Sequence, residues 1–262
     1  MKKMQVKSKP AYLFRVLFAA VLVLLVCQSF HYWPAVMASV GVMQSKELPI
    51  YSVQTDQKQV ALSFDAAWGN EDTGHILEIL EKYNVKTTFF MTGEWMEKYP
   101  EDVKEIAAAG HDLANHSANH LDMASLSAAE IKHELETPHQ KIQELTGTEM
   151  TLFRAPYGSY SDTLVKTVVK CGYYCVQWDV DSLDWKDYGV DSIIRTVCRH
   201  KNLGNGSIVL MHNGAKYTAE ALEGVITGLQ GQGYELVPVS GLIHTGEYAI
   251  DHTGRQIPKS EE

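Results

Sequence analysis

The segment His116-Ser117-Ala118-Asn119-His120 places two imidazoles four positions apart, a spacing at which both can share one divalent cation. Upstream stands Asp65 in Ser63-Phe64-Asp65. Downstream stand Arg154 in Arg154-Ala155-Pro156-Tyr157-Gly158 and His212 in Leu210-Met211-His212. A carboxylate that takes a proton from water, an imidazole that returns one to the leaving group and a cation that assists are the ingredients of metal-assisted acyl hydrolysis. In this reading Asp65 is the general base, and Arg154 pairs with it and keeps it ionised. His212 is the general acid and needs a carboxylate to fix its tautomer, for which Asp181 and Asp184 in Asp181-Ser182-Leu183-Asp184-Trp185 are the candidates. Trp185 and Tyr157 carry flat apolar faces suited to walling an acyl pocket or stacking on a sugar ring. Each residue alone has an ordinary reading as a turn carboxylate, a loop histidine or a surface acid, so the case rests on their positions relative to the secondary structure.

The elements that must position these residues alternate. Apolar runs at 60–64, 86–92, 112–115, 151–154, 174–178, 207–211 and 234–238 read as strands. Amphipathic segments at 73–83, 100–109, 127–146, 161–170, 190–200 and 217–232 read as helices, and Gly110, Gly147, Gly172 and Gly233 stand where a left-handed helix cap wants glycine. Repeated strand-then-helix order implies right-handed crossovers and parallel strands, with every strand's C-terminal end on one face. All the motifs fall at such ends, where barrel enzymes carry their chemistry.

Of the 23 basic residues, Lys2, Lys3, Lys7, Lys9 and Arg15 precede residue 45, where no acidic residue occurs; the remaining 18 face 32 acidic residues, a net of −14. Such a body repels nucleic acid, which is excluded as a partner. Twelve consecutive apolar residues, 16–27, follow that basic stretch and precede Phe30, Tyr32 and Trp33. The pattern is an export signal. Read over 11–33 it is a retained single-pass anchor with the catalytic domain outside the cytoplasm, and Val36-Met37-Ala38 offers the alternative of cleavage and secretion. The expected organisation is a basic and membrane segment at 1–38, a stalk at 39–58, one catalytic domain at 59–243 and a polar tail at 244–262, acting as a monomer. Cys27 lies in the apolar segment, and Cys171, Cys175 and Cys198 read as free thiols, since their number and spacing form neither a disulfide scaffold nor a zinc site.

Taken in order, FD, HSxxH, RxPYG, DxxDW and LMH resemble the polysaccharide deacetylase family, also called the NodB-homology family, over residues 59–243. The resemblance implies an α/β fold, a distorted (β/α)7 barrel, that removes N-acetyl groups from peptidoglycan or chitin-like N-acetylhexosamine polymers. It implies Asp65 as base, His116 and His120 as metal ligands, Arg154 as the tether of the base, His212 as acid with Asp184 as its partner, and the Tyr157 backbone N–H at the oxyanion. Trp185, Tyr157 and Met211 would lie against substrate. The cation would be zinc, with cobalt or nickel as alternatives.

One position departs from the pattern. The family commonly has a second Asp directly after the base, and here that residue is Ala66. The run 64–69 is similar instead to a subgroup associated with sporulating Gram-positive bacteria. Three outcomes stay open: Asp65 itself completes the metal set; Glu71 or Asp72 reaches in from the next loop; or the site is weak or empty. Asp72 has an equally good reading as a helix N-cap. Besides the deacetylase, two other functions remain: a non-catalytic glycan-binding or envelope-morphogenesis protein on the same scaffold, and an O-acetyl esterase.

Overall fold

The seven expected strands and six expected helices all form in the computed structural model, which describes residues 46–259. In chain order the elements are β1 (Ser52–Val53), β2 (Gln59–Ala66), α1 (Thr73–Lys82), β3 (Thr88–Met91), α2 (Gly93–Lys98), α3 (Pro100–Ala108), β4 (Asp112–Asn115) and α4 (Ala128–Thr146). They continue as β5 (Leu152–Phe153), α5 (Asp162–Lys170), β6 (Tyr174–Cys175), β7 (Val180–Asp181), α6 (Val190–Cys198) and β8 (Ser207–Asn213). The last are α7 (Thr218–Gly231), β9 (Glu235–Val237), α8 (Val239–Leu242), β10 (Tyr248–Ile250) and β11 (Arg255–Pro258). Local chemistry sets the boundaries. Ser127 and Glu130 close a capping box at the start of α4, and Gly147, at φ 72°, ends that helix in the left-handed region that glycine enters without cost.

Parallel pairing runs β8-β2-β3-β4-β5-β6, with β7 on β8 and β9 on β2. The sheet forms an α/β half-barrel. Period-two alternation sorts its side chains into two cores. Val60, Leu62, Phe64 and Ala66 of β2 point outward and pack with the helices, whereas Ala61 clusters with Phe90, Ala114, Leu152, Val176 and Ile208 on the inner face. Each fully buried large aliphatic or aromatic side chain contributes roughly 1.5–3 kcal/mol, so the two layers are the main source of stability.

The two ends differ from the sequence reading. Glu47 onward belongs to the compact unit, not to a stalk: Ile50 bridges Val176, and Ser52 of β1 pairs antiparallel with Ser207 of β8. The C-terminal segment is likewise no tail. β10 and β11 form an antiparallel hairpin, β11 pairs with β1, and the fully buried Gln256 side chain bonds both backbone groups of His244. These strands are two to four residues long, too short for hydrophobic periodicity to reveal them, and each is held by its partner. The expected membrane segment lies outside the described residues, among which no helix is long and apolar enough to cross a membrane. Cys171, Cys175 and Cys198 are free thiols.

Candidate active site

Parallel register brings the chemistry together. Asp65 of β2 is the direct neighbour of His212 of β8, while His116 follows β4 and Arg154 follows β5. In β2 the inward positions 61, 63 and 65 alternate with outward ones, so Asp65 faces the barrel mouth. There a cavity of about 490 Å³ is lined by Asp65, Trp68, His116, His120, Tyr157 and His212, with Ala67, Trp178, Asp181, Trp185 and Leu210 completing its wall.

Asp65 is held by a buried cation. Arg154, with no exposed surface, donates from Nη1 to Asp65 Oδ1 at 2.7 Å and from Nη2 to Ser63 Oγ at 2.9 Å and the Gln177 carbonyl at 3.2 Å. The guanidinium lies 3.9 Å over the Phe90 ring, which fixes its plane. Burial alone would push the Asp65 carboxyl up. The Arg154 charge, followed by His116 and His212, outweighs burial and holds it below the usual carboxylate range. Asp65 is therefore ionised at neutral pH and keeps Oδ2 for the pocket.

His212 is held equally firmly. Its Nδ1 lies 2.7 Å from Asp184 Oδ1 and its backbone N–H donates to Oδ2 at 2.7 Å, while the Thr218 hydroxyl donates to the same oxygen at 2.6 Å. A carboxylate only accepts, so Nδ1 carries a proton. Burial works against an imidazolium here, but the hydrogen bond and charge of Asp184 prevail and raise the His212 pKa. Asp184 is thus the partner of His212; Asp181 accepts from the Leu183 N–H and lines the pocket.

His116 donates from Nδ1 to the Arg154 carbonyl at 2.9 Å, which leaves Nε2 facing Asp65 Oδ2 at 3.5 Å. Burial drives its pKa down to about 4, and burial likewise lowers that of His120. Both imidazoles are neutral, the form that binds a metal. The rings sit 4.9 Å apart, and the exposed Tyr157 ring meets His120 edge-on at 4.6 Å. The loop between them is strained, with Ser117 at φ 69° and His120 at φ 51°. Asn115 Oδ1 accepts the Ser117 N–H, Ser117 Oγ accepts the His120 N–H, and the buried Glu134 carboxylate accepts both the backbone and side-chain N–H of Asn119.

Three sequence expectations need correction. Met211 is fully buried in the outer core, because the alternation that turns Leu210 and His212 toward the cavity turns residue 211 toward the helices. Asp72 occupies the N-cap of α1 without a capping bond from its side chain; its Oδ1 instead accepts the Gly214 N–H at 2.8 Å, tying down the chain after β8. Neither it nor Glu71 lines the cavity; the Glu71 carboxylate folds back over Gly69. Among the described residues no group of three or more His, Cys, Asp and Glu side chains is arranged to hold a metal ion. The donors at the mouth are the two imidazoles and the Asp65 carboxylate, which Arg154 already holds, and the methyl of Ala66 points into the outer core. The residues present do not fit a complete cation site.

Sequence reasoning missed Trp68, Trp178 and Leu210 in the wall and the supports Ser63, Glu134 and Thr218. Ser63 and Leu210 were findable, since each stands two residues before a singled-out side chain on the same strand face.

The family model for polysaccharide deacetylase matches residues 52–176. The uncharacterized protein YlxY of Bacillus subtilis is 35% identical over 74% of this chain, which spans 60% of that protein's length. The peptidoglycan-N-acetylmuramic acid deacetylase PdaA of Bacillus subtilis is 32% identical over 76% of this chain and 77% of its own. The crystal structure of BA3943, described as a CE4 family pseudoenzyme from Bacillus anthracis, is 37% identical and superposes with a TM-score of 0.71, covering 74% of this chain and 68% of that one. With the five motifs gathered at one mouth of the half-barrel and a relative 32% identical over 76% of this chain and 77% of its own, the chain belongs to the polysaccharide deacetylase family.

Proposed function

We propose that this chain hydrolyses the N-acetyl groups of a cell-wall glycan, a peptidoglycan or another N-acetylhexosamine polymer. The observation that carries the reading is the pairing of two differently held proton-transfer groups on adjacent strands at one cavity: Asp65, ionised by Arg154, and His212, kept protonated by Asp184. Asp65 takes a proton from water as the oxygen attacks the acetamide carbon. The Tyr157 backbone, in a left-handed turn at φ 61°, offers its N–H to the oxyanion. His212 Nε2 then gives its proton to the nitrogen as the C–N bond breaks, releasing acetate and leaving a free amine. Family chemistry is metal-assisted in general; zinc, cobalt or nickel would find His116 and His120 here, and no step above depends on one.

The curled sheet is best read as the distorted (β/α)7 barrel of the family, borne by a monomer. The apolar segment at 11–33 is best read as a single-pass anchor that leaves the domain outside the cytoplasm. N-terminal sequencing of the mature, membrane-fractionated chain tests this; a new N-terminus just after Ala38 favours secretion.

A second reading, a glycan-binding protein without turnover, draws on Ala66 and on the likeness to the Bacillus anthracis pseudoenzyme, a mutant of which is described as having restored enzymatic activity. Acetate release from N-acetylated chitooligosaccharide, peptidoglycan and O-acetylated xylan, with and without added zinc, separates the readings. Release from the first two supports the deacetylase, release from xylan alone supports an esterase, and binding without release supports the second reading.

A further inference from the structure

Trp68 stands three residues after the base, on the turn that leaves β2, with 47% of its surface exposed at the cavity mouth. Its ring lies nearly flat on the imidazole of His212, with centroids 4.9 Å apart and planes 12° apart. This contact is built into the fold. The carbonyl of the next residue, Gly69, accepts hydrogen bonds from Trp95 Nε1 and Asn213 Nδ2, both at 3.1 Å. Gly214, at φ 85°, packs so closely on that turn that a Cβ there would lie 2.9 Å from the Gly69 nitrogen. The loop carrying Trp68 and the strand end carrying His212 are thereby locked together. One face of the indole is occupied by His212, while nearly half of the side chain stays exposed at the cavity wall.

An indole exposed to this extent is costly to leave in water and well matched to the C–H face of a pyranose. We propose that Trp68 is a specificity-determining residue: its exposed surface forms a stacking platform for a sugar ring beside the scissile acetyl group, so that the site selects a glycan chain over an isolated acetyl compound. Trp185, half-exposed in the same wall, and Tyr157, exposed beside His120, leave the cavity bordered by flat rings, as an extended sugar chain requires. The inference rests on the glycan-deacetylase reading and names what the site grips.

The test measures binding apart from turnover. Full-length chain in detergent, as wild type, Trp68→Phe and Trp68→Leu, is titrated calorimetrically with the tetramer of N-acetylglucosamine, while acetate is measured in parallel. Trp68→Leu is expected to weaken binding about three- to tenfold, the range of a single aromatic contact, with Trp68→Phe close to wild type. Thermal unfolding of both variants checks that the fold is kept. An unchanged dissociation constant in Trp68→Leu, or no binding by wild type, overturns the proposal. Binding that depends on Trp68 without acetate release supports the platform while overturning the deacetylase reading.

Discussion

The two halves of the site are unequally provided for. On the acid side, Asp184 receives three hydrogen bonds, two from His212 and one from Thr218, and Trp68 covers the imidazole face. On the base side, Arg154 is committed to Asp65, but the neighbouring position that would complete a cation site is Ala66, whose methyl belongs to the outer core. The proton-transfer apparatus is thus complete, while a cation would find two histidines and a carboxylate that Arg154 already holds. Buried hydrogen-bonded charges are costly to keep without use, since apolar replacements are often neutral or stabilising. Their retention here weighs toward hydrolysis.

The largest expected effect breaks both halves at the chemistry. Asp65→Asn and His212→Ala should each lower acetate release by about 10²–10⁴-fold, the usual range for a positioned base or acid. Because each also breaks a buried pair, with Arg154 or with Asp184, release is measured under conditions where denaturant titration shows the variant folded. Because both act on one intermediate, the double variant should fall well short of the product of the two losses; a multiplicative loss would mean that they serve separate steps.

Arg154 tests the base side through the fold. Arg154→Met strands the Asp65 carboxylate in a site where it is 6% exposed, and breaking a buried pair costs about 3–5 kcal/mol. Denaturant titration should show a loss of that size. A stability unchanged from wild type would contradict the claim that Asp65 depends on this cation.

Asp184 tests the acid side through pH. His212 must be protonated to act and its pKa is raised, so kcat/KM should fall on the alkaline side as His212 loses its proton. Asp184→Asn removes the charge that holds that proton and should bring the alkaline limb to lower pH, with a loss of about 10–100-fold at neutral pH. An alkaline limb that stays in place would assign it to another group.

The smallest effect lies away from the mouth. His111 is buried, its Nδ1 accepts the Thr87 N–H at 3.2 Å, and burial lowers its pKa to about 4. The unfolded chain, with an ordinary imidazole near 6.5, binds that proton more readily, so the stabilisation from neutral His111 is complete above about pH 6.5 and is lost as pH falls toward 4. Up to roughly 3 kcal/mol is at stake, and His111→Asn should flatten the stability-versus-pH curve over that window by about that amount.

The parts legible in the sequence were those with a repeating signal. Long strands such as β2 and β8 carry continuous apolar runs, and the glycines at 110, 147, 172 and 233 all take φ between 72° and 87°, as their cap positions require. Asp65, His116, Arg154 and His212 were legible because each ends or follows a strand. What escaped was set by partners distant in sequence. β1, β10 and β11 exist only by pairing with one another and with β8, and Trp68 acquires its role by stacking on a residue 144 positions away. Asp72 illustrates the same limit: its place before α1 reads as a cap, but its partner is Gly214, on a loop the local sequence does not reveal. Met211 was misplaced for a different reason, because strand alternation counted back from His212 already assigns it to the helix side.

The most direct test is quantitative acetate release from N-acetylated peptidoglycan and N-acetylglucosamine tetramer by the full-length chain, with and without zinc, against His212→Ala as the blank. The account predicts release by the wild type at least about 100-fold above that blank. Release indistinguishable between the two proteins under every condition would contradict it and leave a glycan-binding scaffold in its place.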